Sequence, residues 1–405
     1  MTAAERKRAP RAVTDVPSRA LVVQLPAPLQ PYARSLQRWR SGCVLEVLRE
    51  GEQTYPAMLA AIAEARESIL FEVYILVADR TGERFKQALL ERARAGVTVR
   101  VIYDAMGSFG LFDSWLAELR SAGVEIIDFN PIAPWRQRWT LSHRDHRKVL
   151  VVDDAVGFTG GLNIADDYAS VSDGGRGWHD MHCRVRGPAV LDLSRLFRRT
   201  WLRSGGSYYP APPRASDAPG AGGSSYVRMI ENSKRRTKGA VRRAYAHVIK
   251  QARSHVLIQN AYFLPDRGMR RTLARAVRRG VKVSVMVPGH SDIKMIEYAS
   301  DYVLRRLARR GVEILHWQGP MMHAKTAVVD GVWSTIGSYN FDAQSRWHNL
   351  ELTLEILDPT IGGALIAEYE RDRGSCVPYD EAAWRRLPWW RKAFAWMCYR
   401  LRRFL

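Results

Sequence analysis

Two short segments of the chain repeat one set of groups able to work on a phosphate ester. His146-Arg147-Lys148 is followed by four residues and Asp153, and His323-Ala324-Lys325 by four residues and Asp330. Downstream, at one shared spacing, lie Gly160-Gly161-Leu162-Asn163 and Gly337-Ser338-Tyr339-Asn340. A single H-x-K-x4-D run is weak, but two copies with matched G-[GS]-x-N partners are strong. On an extended strand, residues two apart share a face, so His146 sits beside Lys148 and His323 beside Lys325. If both pairs face one cleft, a neutral imidazole can attack phosphorus and form a phospho-histidine. The other imidazole, protonated, can give its proton to the leaving alkoxide, a role typically worth about 10²–10⁴-fold. The two lysines, Asn163, Asn340 and the Ser338 hydroxyl can hold the equatorial oxygens, which gain charge in the transition state. The catalytic candidates are therefore His146, Lys148, Asp153, His323, Lys325 and Asp330. No separate cluster has metal-ligand spacing, so neither metal nor other cofactor is expected.

Two histidines in opposite protonation states each need an orienting carboxyl group. Asp180 lies 34 residues after His146 and Glu351 lies 28 residues after His323, which makes them the candidates for fixing tautomer and basicity. His143 reads as a local hydrogen-bonding residue. His179 and His182 flank Asp180 but lack further ligands at metal spacing, and Cys183 reads as a small buried hydrophobe.

The elements that must position these groups form a duplication. AIAEARESILFEVYI (61–75) answers VIKQARSHVLIQNAYF (248–263), and FKQALLERARAGVTVRVIYDAMGS (85–108) answers MRRTLARAVRRGVKVSVMVPGHSD (269–292). The block at 119–129 answers 307–317, and 146–163 answers 323–340, with the order kept throughout. Each copy alternates β-branched runs with amphipathic helical stretches, and the strands are apolar almost throughout, as strands covered on both faces are. The fold class is α/β: two tandem modules, each a mixed β-sheet flanked by helices, related by a pseudo-twofold axis with one shared active site between them. The expected divisions are a loosely ordered basic arm over 1–40, a first module over 41–203 and a Gly/Pro/Ser linker over 204–226. A second module over 227–375 and a basic, Trp-rich tail over 376–405 complete the chain.

At these motifs the chain resembles the phospholipase D superfamily, from about residue 42 to residue 372. The two-motif layout resembles the shorter bacterial cardiolipin synthases that lack N-terminal transmembrane helices. The resemblance implies that His146 is the nucleophile and that His323 acts as general acid and then base. It also implies that Asp153 and Asp330 support the fold more than the chemistry. Glu72 with Tyr74, and Asn260 with Tyr262 and Phe263, fall where that family lines its cleft. One departure is that Ser338 has no hydroxyl counterpart at Gly161.

The charge balance bears on the substrate. With 62 Lys and Arg against 41 Asp and Glu, the net charge is +21, which draws polyanions, either nucleic acid or an anionic membrane. Four scattered cysteines exclude a disulfide framework, and no apolar run approaches the ~18–20 residues that span a bilayer. The N-terminal segment lacks the apolar core of a signal peptide. WRRLPWWRKAFAWMCYRLRRFL, at the C-terminus, combines tryptophans and basic residues with no acid, the composition of an interfacial helix. Trp135 and Trp139, with a second wall of Phe109, Leu111, Phe112 and Trp115, are expected to dock the cleft on lipid; the same aromatics would also suit stacking on single-stranded nucleic acid. The expected activity is a phosphatidyltransferase that uses phosphatidylglycerol and a second phospholipid acceptor, peripheral on the cytoplasmic side of the inner membrane, with no stable nucleic-acid partner. The alternatives are a phosphodiesterase acting on nucleic acid or hydrolysing phospholipid, and a binding scaffold with a dead site. Spacing decides neither the acceptor lipid nor the oligomeric state.

Overall fold

The computed structural model describes residues 23–131, 143–215, 218, 220–233 and 237–402. The first half contains β1 (Arg40–Arg49), β2 (Ser68–Val73), β3 (Thr98–Asp104), β4 (Glu125–Phe129), β5 (Val149–Val152), β6 (Val156–Gly160) and β7 (Met181–Arg186). Its helices are α1 (Glu50–Glu64), α2 (Arg80–Arg94), α3 (Asp113–Ser121) and α4 (Ala189–Arg203). The second half contains β8 (Ser225–Asn232), β9 (His255–Asn260), β10 (Lys282–Pro288), β11 (Glu313–Trp317), β12 (Lys325–Val329), β13 (Trp333–Gly337), β14 (Glu351–Leu357) and β15 (Cys376–Pro378). Its helices are α5 (Ala240–Gln251), α6 (Arg267–Arg278), α7 (Lys294–Ala308), α8 (Ala343–Trp347), α9 (Pro359–Arg373), α10 (Glu381–Arg386) and α11 (Trp389–Leu401).

From the central seam β1–β8, the strands run outward as β1-β7-β6-β5-β2-β3-β4 on one side and β8-β14-β13-β12-β9-β10-β11 on the other. The two series correspond strand for strand, which is the duplication expressed as topology. Each pairs its three outer strands in parallel and the rest antiparallel. β15 adds one antiparallel strand to β11. β1 joins the halves: Arg40 and Cys43 pair with β8, whereas Val44–Arg49 pair with β7. Gly42 makes that switch, with φ +73° and a Cβ position only 2.9 Å from the Gly220 Cα, so a side chain there would clash as well as strain the backbone.

Strand alternation divides the core into three layers. Ile69, Phe71 and Leu150 face the helices of the first half, and Ile258, Val285 and Ala327 face those of the second. Leu70, Val151 and Cys183 share a third cluster with Ile336, Leu354 and Val328 on the other face of the sheet, where α4 and α9 also bury their apolar faces. The apolar strands of the sequence are thus covered on both sides.

Both terminal segments pack on the second half more than their composition suggests. Residues 23–39 are not a loose arm: Leu25, Leu29, Tyr32 and Trp39 are buried in the outer core of the second half, and the Tyr32 hydroxyl donates to Asp330 at 2.6 Å. These apolar residues follow neither helical nor strand periodicity, so the sequence hides them. In the tail, Ala395, Cys398 and Tyr399 of α11 are buried and the helix packs along α7, so only its outer face is free. Trp115 is also core, with its indole N–H donating to Glu83 at 3.0 Å, and Phe263 packs on Phe341 in the outer core of the second half. Trp135 and Trp139 lie outside the described residues.

Candidate active site

His146 and Lys148 lie just before β5, and His323 lies just before β12, which Lys325 opens, so the dyad that relates the strands also relates the two pairs. The backbone sets how they meet. The His146 N–H donates to the Leu350 carbonyl at 3.0 Å, and the His323 N–H donates to the His179 carbonyl at 2.6 Å. Each histidine is thereby stitched to the residue just before the other half's acidic residue. The carboxyl partners are consequently crossed between halves: His146 Nδ1 lies 3.1 Å from Glu351 Oε2, and His323 Nδ1 lies 2.7 Å from Asp180 Oδ2. Sequence distance pairs Asp180 with His146 and Glu351 with His323; the fold reverses this.

The two centres differ in their support. Ser338 donates its hydroxyl proton to Glu351 Oε2 and accepts from the Leu352 N–H at 3.1 Å. Ser338 therefore orients the carboxyl group of Glu351 and is not a free phosphate donor. At the equivalent Gly161 a Cβ would lie 2.1 Å from Asp180 Oδ1, so the absent side chain is the space the aspartate occupies. Asp180 also accepts from the Met181 N–H at 2.7 Å. Asn163 takes the Ile75 N–H at 3.1 Å and donates to the Tyr168 hydroxyl at 2.7 Å, and Tyr168 reaches His323 Nδ1 at 3.3 Å. The Asn340 side-chain oxygen is buried without a hydrogen-bond partner. Sequence reasoning does not single out Tyr168 or Trp178, whose ring lies 6.1 Å from that of His323, although Tyr168 follows Asn163 by the same five residues that separate Ser345 from Asn340, and the Ser345 hydroxyl accepts the Asn340 N–H.

Both lysines are buried, donating to the carbonyl of their own histidine, Lys148 to His146 at 2.8 Å and Lys325 to His323. Burial, and then the charge of Lys325, pulls the Lys148 ammonium down to about 7; burial pulls Lys325 down to about 8. Burial, and then Lys325, lowers His323 to about 4, against the opposing pull of Asp180. Burial also lowers His146, against Glu351. Asp180 is held below the usual carboxylate range: burial opposes this, but Lys325 and His323 outweigh it. Each half's lysine bears electrostatically on the other half's histidine, the signature of one shared basic pocket.

Aromatic rings wall this pocket. Tyr74 lies 4.8 Å from the His146 ring and 5.0 Å below the Lys148 ammonium; Tyr168 and Tyr262 lie 5.4 and 6.4 Å from the His323 ring. Tyr262 is held by Asp292 at 2.8 Å. Asn260 braces the second Asn340 segment, donating to the Tyr339 carbonyl at 3.1 Å and accepting from the Phe341 N–H at 3.1 Å.

Three expected site residues lie elsewhere. Asp153 accepts the N–H groups of Arg66, Glu67 and Ser68 at 2.7–2.8 Å, and Asp330 those of Arg253, Ser254 and His255 at 2.8–3.0 Å. Both sit at positive φ in the turns at the far ends of β5 and β12, tying each turn to the start of β2 or β9. Neither is placed to touch a phosphate. Glu72 is not a cleft residue either: it is fully buried against Arg147 at 2.7 Å, in a cluster with Asp145. Arg147 lies between His146 and Lys148 in sequence and therefore points the opposite way, taking Glu72 with it. His179 is engaged by Glu50 at 2.8 Å and Asp372 at 2.9 Å, and among the described residues no three His, Cys, Asp or Glu side chains gather as a metal site would require.

The sequence profile described as "Cardiolipin synthase, PLD-like domain" matches residues 58–201 and 245–373, one segment in each half. The chain belongs to this family. It is therefore an enzyme of the phospholipase D type, and its two matched segments are the two halves of the dyad. Among its relatives, a cardiolipin synthase of Geobacillus kaustophilus is 34% identical over 87% of this chain and 73% of its own length. Cardiolipin synthase B of Salmonella typhi is 31% identical over 87% of this chain and 86% of its own. In fold, the family member overlays the phosphatidylserine synthase of Haemophilus influenzae with a TM-score of 0.69 at 15% identity, covering 89% of this chain and 95% of that one.

Proposed function

We propose that the enzyme takes the phosphatidyl group of phosphatidylglycerol onto His146, releases glycerol, and passes the group to a hydroxyl of a second phospholipid, phosphatidylglycerol as acceptor giving cardiolipin. The observation that carries this reading is the crossed pairing of His146 with Glu351 and His323 with Asp180 around two buried lysines. His146 Nε2 attacks phosphorus while Glu351 holds Nδ1, so the proton on Nδ1 stays in place as positive charge develops on the ring. His323 needs a proton to give to the departing glyceryl oxygen. Burial and Lys325 oppose that proton on His323. The bound phosphodiester offsets the lysine charge and returns the proton, so the acid forms when substrate is present. In the second half-reaction His323 takes a proton from the acceptor hydroxyl, whose oxygen displaces His146 from phosphorus. Lys148, Lys325 and Asn340 hold the equatorial oxygens.

Transfer must outrun hydrolysis, and the ring walls of Tyr74, Tyr168 and Tyr262 around two buried imidazoles favour that. The partner surface is an anionic membrane, with the enzyme peripheral on the cytoplasmic side of the inner membrane. Among the described residues no helix is long and apolar enough to cross a bilayer. Trp389, 79% exposed, with Trp390 and Trp396 on the free face of α11, and Phe109, 84% exposed, offer interfacial anchors. Incubating the purified protein with phosphatidylglycerol vesicles and, in parallel, with oligonucleotides, both in EDTA, tests the reading. Cardiolipin and glycerol in equal amounts are expected; cleaved oligonucleotide with unchanged lipid would overturn it.

A further inference from the structure

A second cavity, of about 510 Å³, lies where α5, α6, α8 and the end of α11 meet, and neither histidine–lysine pair lines it. That volume falls in the range of small-ligand sites, roughly 300–1,000 Å³. Its lining is of two kinds. Leu264, Met269 and Phe341 give an apolar floor, and Arg242, Arg346 and Arg402 give three guanidinium groups at its edge.

The arginines are arranged for an anion. Asp266 holds Arg242 at 2.8 Å and Arg346 at 2.5 Å, fixing both forks. The Arg346 Nε–H is nevertheless buried without a partner. Arg402 donates to the Tyr399 carbonyl at 2.8 Å and lies 4.1 Å over that ring, with no carboxylate among its described contacts. Asp342, the other acid in the lining, caps α8, and burial pushes its carboxyl group up to about 7. Three cations thus face two acids, leaving net positive charge even when both are ionised. A bare phosphate would use the arginines and leave the floor wet; a phosphodiester carrying an acyl chain would use both. The source is at hand, since Arg402 directly follows the helix that carries Trp389, Trp390 and Trp396.

We propose that this cavity binds one molecule of anionic phospholipid, separate from the lipid that reacts. The proposal rests on the reading that the enzyme handles phospholipid. The occupant lies against Tyr339, whose carbonyl takes the Asn260 amide beside Asn340, so it buttresses the second phosphate-binding segment.

Titration calorimetry of the full chain carrying His146→Ala, with dihexanoyl-phosphatidylglycerol below its micelle concentration, is expected to give two equivalents bound. Ala343→Trp, which fills the cavity from its rim, and Arg242→Gln with Arg346→Gln, which removes the forks and keeps the space, should each leave one. Glycerol 3-phosphate should bind the cavity at least tenfold more weakly. Two equivalents surviving in both variants, a single equivalent that neither variant removes, or glycerol 3-phosphate binding equally tightly would overturn the proposal. A single equivalent that Ala343→Trp abolishes would uphold the cavity and count instead against lipid binding at the histidines.

Discussion

His146 and Glu351 belong to different halves of the chain, yet Nδ1 of one lies 3.1 Å from Oε2 of the other. The mirrored contact, His323 with Asp180 at 2.7 Å, makes each half supply the imidazole of one centre and the carboxyl group of the other. Neither half holds a complete centre. Glu351→Gln and Asp180→Asn should each lower kcat by about 10²-fold or more. Double-mutant cycles on single-turnover rates should couple Glu351 to His146 and Asp180 to His323. Coupling of Asp180 to His146 instead would show that the pairing follows sequence proximity.

Burial holds the basic groups of the pocket below their ordinary pKa values. With Lys148 near 7, Lys325 near 8 and His323 near 4, binding a phosphodiester anion at pH 8 raises all three and draws protons from solution. Calorimetry of lipid binding in two buffers of different ionisation heat should show net proton uptake at pH 8. Zero uptake would mean that the lysines are already fully charged.

The same burial acts on stability. Unfolded lysine titrates at about 10.4, so between about 7 and that value the unfolded chain binds more protons at Lys148 than the folded one. Its contribution therefore disfavours folding in full below pH 7 and fades as pH rises toward 10. Lys148→Met should raise the unfolding temperature at pH 7 while abolishing turnover. A lower unfolding temperature would contradict this.

Asp153 and Asp330 should be structural. Each holds three backbone N–H groups, and losing one carboxylate should cost about 1–3 kcal/mol or more in stability. Asp153→Ala and Asp330→Ala are expected to lower the denaturation midpoint and keep kcat per folded molecule within a fewfold of the parent. A large kcat loss at unchanged midpoint would place them in the chemistry.

The free face of α11 should carry membrane binding. Trp389→Ser with Trp390→Ser is expected to weaken co-sedimentation with phosphatidylglycerol vesicles by about tenfold or more, with turnover of a soluble short-chain substrate kept. Unchanged sedimentation would move the anchor elsewhere.

The duplicated His-Lys motif made the dyad and the shared pocket legible in the sequence, because a repeat at one spacing demands a common geometry. The crossed carboxyl pairing was not legible: it depends on backbone contacts of His146 with Leu350 and of His323 with His179 between residues far apart in the chain. Glu72 reads as a cleft residue through the family resemblance alone, and its buried partner Arg147 is hidden inside the motif itself. Ser338 reads as a phosphate donor until Glu351 is seen to take its proton. Leu25, Leu29 and Tyr32 pack without periodicity, so the arm that carries them reads as loose.

The covalent step is the most direct test. Mixing enzyme with phosphatidylglycerol, quenching in alkali within milliseconds, and mapping the adduct by mass spectrometry should place a phosphatidyl group on the peptide containing His146, lost in His146→Ala and accumulating in His323→Ala when the leaving group is good. An adduct on His323, or turnover with His146 removed, would contradict the account.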